Sequence, residues 1–384
     1  MARSHTTRPH TTVLVIPTGI GAAMGGYAGD ALPVARMLAQ VTDSLITHPN
    51  VMNGAQLYWP IPNAYYVEGY GLDQFAAGKW GLQPVHQNPI GLVIDQAVEA
   101  DLRVRHLQAA DAARATLGLD IRAHVVTDAP LGVTLKTAES GASWGTLENP
   151  GSLLRAAERL ILEAGARAIA VVARFPDDED SAALDAYRQG QGVDPLAGAE
   201  AVISHLVVQT FRLPCAHAPA LLPLPLEPTI SPRSAAEEIG YTFLPCVLAG
   251  LSRAPRFVPD APAAFDAQAD AMWAKDVNAI VVPATAFGGS AVMSLAPVLT
   301  QRGAQVIAVG ENSTAMAVRA EDLGIKAIFV NTYLEAAGAI AAFRAGVSLT
   351  ALRPRIEPLP PLAFRQKSLD EKSGISSLPA VSFE

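Results

Sequence analysis

The stretch Val13-Leu-Val-Ile-Pro-Thr-Gly-Ile-Gly-Ala-Ala-Met-Gly-Gly26 runs from a short β-branched segment into a loop of small residues, and a helix predicted over 31–41 follows it. Strand, loop and helix in that order form the repeating unit of a parallel sheet. The order returns near the other end of the chain in Ala279-Ile-Val-Val-Pro-Ala-Thr-Ala-Phe-Gly-Gly-Ser-Ala-Val292. There a strand, a proline, a threonine and a Gly-Gly pair precede a predicted helix at 289–301. The echo reads either as chance likeness among glycine-rich turns or as the mark of two pseudo-symmetric lobes.

The alternation continues between these units. Further β-branched runs at 45–47, 91–95, 123–127, 168–172, 305–309 and 327–330 read as buried strands. Helices are predicted at 99–117, 151–164, 233–251 and 332–345. The fold class is therefore α/β, with mainly parallel sheets covered by helices on both faces, arranged as two Rossmann-like lobes. Six prolines in 213–232 read as a linker, which divides the chain into a first lobe at 12–212 and a second at 233–348. Residues 174–200 read as an exposed excursion. Residues 1–11 and the Pro/Ser-rich stretch 349–384 read as extended or disordered ends.

With 384 residues, half of them apolar, the chain can bury a sizeable core. A net charge of −8 leaves no cationic surface for a polyphosphate, so no nucleic-acid partner is expected. Two cysteines exclude a disulfide framework and point to a reducing compartment. The polar start and the four-residue apolar run Val13–Ile16 resemble neither a signal peptide nor a span. The expectation is a soluble, cytoplasmic protein without a membrane partner. Residues 58–80 hold seven of the 23 aromatic side chains. That excess reads as local packing, a substrate lid or a homodimer arm.

Open α/β sheets bind ligands beyond the carboxyl ends of their strands, and four polar clusters follow predicted strands. In the first, Thr18, Gly19, Gly21, Gly25, Gly26 and Asp30 lead into helix 31–41, where exposed amides suit a phosphate or carboxylate. It is no dinucleotide fingerprint: Met24 stands where the third glycine belongs, and no acid ends the second strand. No NAD or ATP signature is present, and the cofactor stays open. The second cluster joins Asp128 to Ser140, Ser143 and Thr146 ahead of helix 151–164. The third, Thr285, Gly288, Gly289 and Ser290, opens helix 289–301. Val292 there breaks the Gly-x-Ser-x-Gly elbow, which weakens a hydrolase reading. The fourth is Glu311 with Asn312. Each of these residues also reads as an ordinary helix cap or turn former.

His48, beside Asn50 and Asn53 after a predicted strand, is the leading general acid/base. Asp30, Asp128 and Glu311 are the carboxyl candidates. Cys215 and Cys246 read either as buried, inert thiols or as the paired thiols of a cofactor-free racemase. With His205 and His217 they lack zinc-site spacing, so no metal is assigned.

Taken together, Pro17–Asp30, Thr47-His-Pro-Asn-Val-Met-Asn-Gly-Ala-Gln-Leu-Tyr-Trp-Pro60, Ser140-Gly-Ala-Ser-Trp-Gly-Thr146 and Pro283-Ala-Thr-Ala-Phe-Gly-Gly-Ser290 resemble an uncharacterised bacterial and plastid family of cyanobacterial type. The resemblance runs over about residues 12–348 and implies kinship without an activity. The residues themselves predict an enzyme of isomerase or lyase type acting on a small anionic metabolite, a carboxylate or phosphate, by acid/base chemistry. The alternative is a non-catalytic metabolite-binding or assembly protein using the same cleft.

Overall fold

The computed structural model describes residues 9–53, 55–177, 182–240, 243–259 and 270–361. The first half of the described chain forms the strands β1 (Thr11–Leu14), β2 (Ser44–Thr47), β3 (Ala64–Tyr66), β4 (Trp80–Gln83), β5 (Ile90–Ile94), β6 (Ile121–Val126), β7 (Val133–Thr137) and β8 (Ser143–Leu147). Then come β9 (Ala168–Arg174), β10 (Cys215–Ala220), β11 (Arg256–Pro259), β12 (Val277–Pro283), β13 (Gln305–Val309) and β14 (Ile328–Val330).

Six strands make one sheet in the order β14-β13-β12-β1-β2-β3, and four make another in the order β10-β9-β5-β6. Every pairing in both is parallel, which establishes the α/β class. The two echoing units are neighbours: Val13 of β1 pairs in register with Ile280 of β12. Alternation along the strands supplies two apolar layers. Leu14, Leu45, Leu92 and Ala170 enter one, while Val13, Ile46, Val93 and Val171 enter the other, so both sheets share both layers.

The lobes expected at 12–212 and 233–348 do not match the way the strands are shared out. Parallel pairing of β1 with β12 places β1–β3 in one sheet with β12–β14. The stretch 213–232 is likewise no plain linker, because β10 occupies 215–220. Pro219 is accommodated there because, among the described residues, β10 is an edge strand with no neighbour on one side. The helix predicted over 233–251 is broken into Ala235–Glu238 and Leu244–Ser252, with Gly240 between them at φ +70°. The excursion at 174–200 holds helix Ala182–Arg188 and the start of the 15-residue helix Ala197–Phe211. Ser143 and Thr146 lie on β8, the return arm of an antiparallel hairpin with β7, and not in a loop opening a helix. Residues 1–8 and 362–384 of the expected extended ends lie outside the described residues; the described part of the second, 349–361, begins with a short 3-10 turn at Leu349–Leu352.

Candidate functional site

The carboxyl ends of strands from both sheets open into one cavity of about 1060 Å³. Thr18 follows β1, His48 follows β2, Asp177 follows β9, Leu221 follows β10, and Gly289 and Ser290 follow β12; all of them line it. Helix Ala197–Phe211 forms another wall. Its position is set by close approach to the β7–β8 hairpin: a Cβ at Gly198 would stand 2.2 Å from the Trp144 Cα. The four-residue spacing of Glu200 and Ser204 puts both on one face, and His205 follows directly.

That helix meets β10 in a hydrogen-bonded chain. The Ser204 hydroxyl lies 2.6 Å from His217 Nδ1, and His217 Nε2 lies 3.4 Å from Glu200 Oε2. Facing the carboxylate, Nε2 donates, so Nδ1 accepts from Ser204. A second pair involves Glu68, which caps helix Gly69–Ala76 by accepting from the Tyr70 and Gly71 amides. Its Oε1 is 2.8 Å from His205 Nδ1, and the Ala201 carbonyl oxygen is 2.5 Å from the same nitrogen. Both partners are acceptors, so Nδ1 carries the proton and Nε2 is left for a ligand. Burial works to lower the pKa of His205, but the hydrogen bond and charge of Glu68 outweigh it and hold the ring above its ordinary value.

A carboxyl cluster stands beside these pairs. Burial pushes Asp194 well above the usual carboxylate range, and the charges of Glu200 and Glu237 push the same way. Burial likewise raises Glu237 to about 7, against the Ala28 amide and the Tyr187 hydroxyl, both of which donate to it. The Tyr187 hydroxyl is 2.7 Å from Glu237 Oε2, and its ring stacks on Tyr27 at 4.4 Å. With Glu237 near 7, this cluster is only partly protonated at neutral pH.

His48 has a different character from the one expected. It is buried, and Nε2 accepts the Ile16 amide at 3.3 Å, so Nδ1 bears the proton. Burial lowers its pKa to about 4, so near pH 7 it is a neutral donor and not a proton carrier.

Of the other expected residues, Thr18, Asn50, Asn53, Gly289 and Ser290 line the cavity with His48. The remainder hold the frame. The amides of Met24, Gly25 and Ala28 donate to Asn312, Asp30 and Glu237, so these three loop amides are held by the chain's own oxygens. Gly19 and Gly21 pack against Ser143 and Gly192, and a Cβ at Gly26 would stand 2.3 Å from the Ala22 carbonyl oxygen. Asp30 pairs with Arg233 at 3.0 Å, and Asp128 pairs with Arg155 at 2.7 Å. Glu311 accepts from the Tyr333 amide, and Thr285 contacts Thr314. Gly288 packs on Val318. Ser140 and Thr146 lie on the hairpin, outside the lining. Cys246 is buried in helix Leu244–Ser252, also outside the lining. Among the described residues no group of three or more His, Cys, Asp or Glu side chains can hold a metal ion. Tyr66, Phe75 and Trp80 of the aromatic segment are buried, while Trp59 is 55% exposed under Arg36.

Sequence reasoning missed Glu68, Asp194, Glu200, Ser204 and Glu237, and considered His205 and His217 only as metal ligands. The available signal was Asp194-Pro195, an acid and a proline just ahead of helix Ala197–Phe211, followed by carboxyl and hydroxyl at 200 and 204.

A protein from Synechococcus sp. named "Uncharacterized lipoprotein syc1174_c" is 60% identical over 347 residues, which cover 90% of this chain and 94% of that protein. That finding overturns the cytoplasmic expectation, which rested on a polar start, the lack of a long apolar stretch and cysteine number. No helix among the described residues is long and apolar enough to cross a membrane. No solved structure matches. A family model described as "Protein of unknown function (DUF3326)" matches residues 11–353, and with 60% identity to the Synechococcus protein this establishes that the chain belongs to that family.

Proposed function

We propose that the protein is an acid/base enzyme of isomerase or lyase type that moves a proton on a small molecule held between His205 and His217. The observation that carries this reading is that two histidine–carboxylate pairs, His205–Glu68 and His217–Glu200, face one cavity. His205 is the base: Glu68 fixes Nδ1, supports the charged ring and leaves Nε2 to take a proton. Once loaded, with a hydrogen on Glu200 and on Nδ1, the Glu200–His217–Ser204 chain returns one: Ser204 gives its hydroxyl proton, takes that of Nδ1, and Nε2 takes that of Glu200. Ser204 is 2% exposed in mid-helix, which suits a relay and not a nucleophile. Neutral His48 donates a hydrogen bond to developing charge, as a neutral imidazole can.

Carboxyl groups of Glu68, Asp73, Asp194, Glu200 and Glu237 line the wall. The proposed substrate is therefore neutral or basic, in place of the anion expected from the glycine loop. The test is incubation of the protein in D₂O with a panel of neutral and basic metabolites, read by mass spectrometry. Deuterium should enter a substrate carbon, and His205→Gln should reduce the rate by about 10²-fold or more. Absence of exchange with every metabolite, or an unchanged rate in His205→Gln and His217→Gln, favours the non-catalytic binding alternative.

Membrane attachment belongs to the same proposal, supported by the lipoprotein name of the Synechococcus relative. Cys215 and Cys246 are both buried. Cell fractionation should find the protein with membranes and release it with detergent; recovery in the soluble fraction refutes attachment.

A further inference from the structure

We propose that the substrate is an amphiphile: its neutral or basic head sits between His205 and His217, and an unbranched hydrocarbon chain of about ten carbons runs from there along β10 to a leucine-lined mouth. The proposal rests on reading the cavity as a substrate site.

β10 supplies the path. Side chains alternate along a strand, so His217 and Pro219 share one face, and Leu221, the residue after the strand, continues it. Burial follows the same alternation: Ala216, Ala218 and Ala220 are buried, while His217 and Pro219 are half-buried. His217, Pro219 and Leu221 all line the cavity. That face changes from imidazole to pyrrolidine to a leucine side chain over four residues, about 13 Å of strand, which matches an extended chain of about ten carbons. Pro219 has no N–H, so the middle of the path lacks that backbone donor.

The far end is apolar and open. Leu222 is 42% exposed and Ile239 76%, and both line the cavity, so they stand where it meets solvent. Arg188 brings their segments together: its Nη2 bonds the Pro225 carbonyl oxygen at 2.7 Å and Glu238 at 2.6 Å, and Leu224 and Ile239 are the adjoining residues. The carboxylates that touch these segments are neutralised, Glu238 by Arg188, and Asp177, which accepts from the Leu222 amide, by Arg174. Glu68 and Glu200, by contrast, bond the two histidines at the head end. Neighbouring apolar side chains left open to water mark a place for an apolar ligand. A ligand matching both ends carries its polar group at the histidines and its hydrocarbon toward the leucines. The cavity volume is at the upper end for drug-sized ligands and exceeds what a head group alone fills.

The test uses the full chain and n-alkylamines from butyl to tetradecyl, with binding measured by calorimetry below their micelle concentrations. Affinity should tighten about three- to fourfold per methylene up to about ten carbons and then level off, because further carbons reach solvent. Decanoate should bind at least about tenfold more weakly than decylamine, since it meets the carboxyl groups around the histidines. Leu222→Gln combined with Ile239→Gln, both at exposed positions, should melt within about 2 °C of the parent. That variant should bind decylamine about tenfold more weakly and leave butylamine binding unchanged. The series on the parent needs no variant, so the plateau decides even if the double variant melts early. Affinity independent of chain length overturns the chain site, and affinity that rises unbroken to tetradecylamine overturns its length. Sedimentation tests the other occupant: a dimer that the double variant dissociates, with no chain-length dependence in the parent, makes the mouth a contact between copies and overturns the proposal. Chain-length dependence without deuterium exchange sinks only the catalytic reading, and exchange of short metabolites without it sinks only the chain site.

Discussion

His48 and Glu237 titrate in overlapping windows with opposite effects on stability. His48 is lowered to about 4 in the fold, so its contribution is complete above the ordinary value of 6.5 and is lost as pH falls through 4. Glu237 is raised to about 7, so its contribution is complete below 4.5 and is lost as pH rises through 7. Each shift corresponds to about 3 kcal/mol, and between pH 4 and 7 the two nearly cancel. His10, lowered to about 4 by burial and by Arg344, adds to the His48 side. Urea unfolding of Glu237→Gln at pH 6.5, 5.5 and 4.5 should expose the hidden slope, with the variant losing about 2 kcal/mol more than the parent over that range. A slope equal to the parent's would show that Glu237 does not hold the shifted proton.

At the scale of elements, the site depends on how closely helix Ala197–Phe211 approaches the hairpin. Gly198→Ala forces a Cβ against Trp144, so about 1–3 kcal/mol of stability should be lost. Displacement of Glu200, Ser204 and His205 should abolish deuterium exchange in the same variant. Gly338 in helix Tyr333–Arg344 is the contrast: a Cβ there meets nothing within 4 Å, and Gly338→Ala should stabilise by about 1 kcal/mol. Thermal melts of the two variants should move in opposite directions. The sequence showed strands and helices whose burial leaves a plain pattern, including β1, β12 and helices Leu32–Gln40, Pro150–Ala164 and Ser290–Gln301. Helix Ala197–Phe211 escaped notice because Ala-Val-Ile at 201–203 and Leu-Val-Val at 206–208 spread apolar residues around its axis and blur the helical period. His48 was found by its place after a strand, but its protonation depends on burial and on the Ile16 amide, which no local spacing encodes. His205 and His217 acquire their roles from Glu68 and from the pairing of β10 with β9, both distant along the chain.

For the whole molecule, the decisive feature is the pairing of β1 with β12. The Thr11 amide donates to the side chain of Asn278, 267 positions later. β5, β6, β9 and β10 come from one continuous span and can pair while the chain is still being made. β1, near the middle of the larger sheet, can do so only with β2. The first strand to leave the ribosome waits for nearly three-quarters of the chain before one of its two neighbours exists, and closing so long a loop is slow. Pulse-labelled hydrogen exchange during refolding should therefore protect the amides of β5 and β9 before those of β1 and β12; simultaneous protection would show that the sheets fold as one unit. In the cell, the open edge of β1 is the part of a nascent chain most open to wrong partners, so the demand for chaperones should end only when β12 emerges.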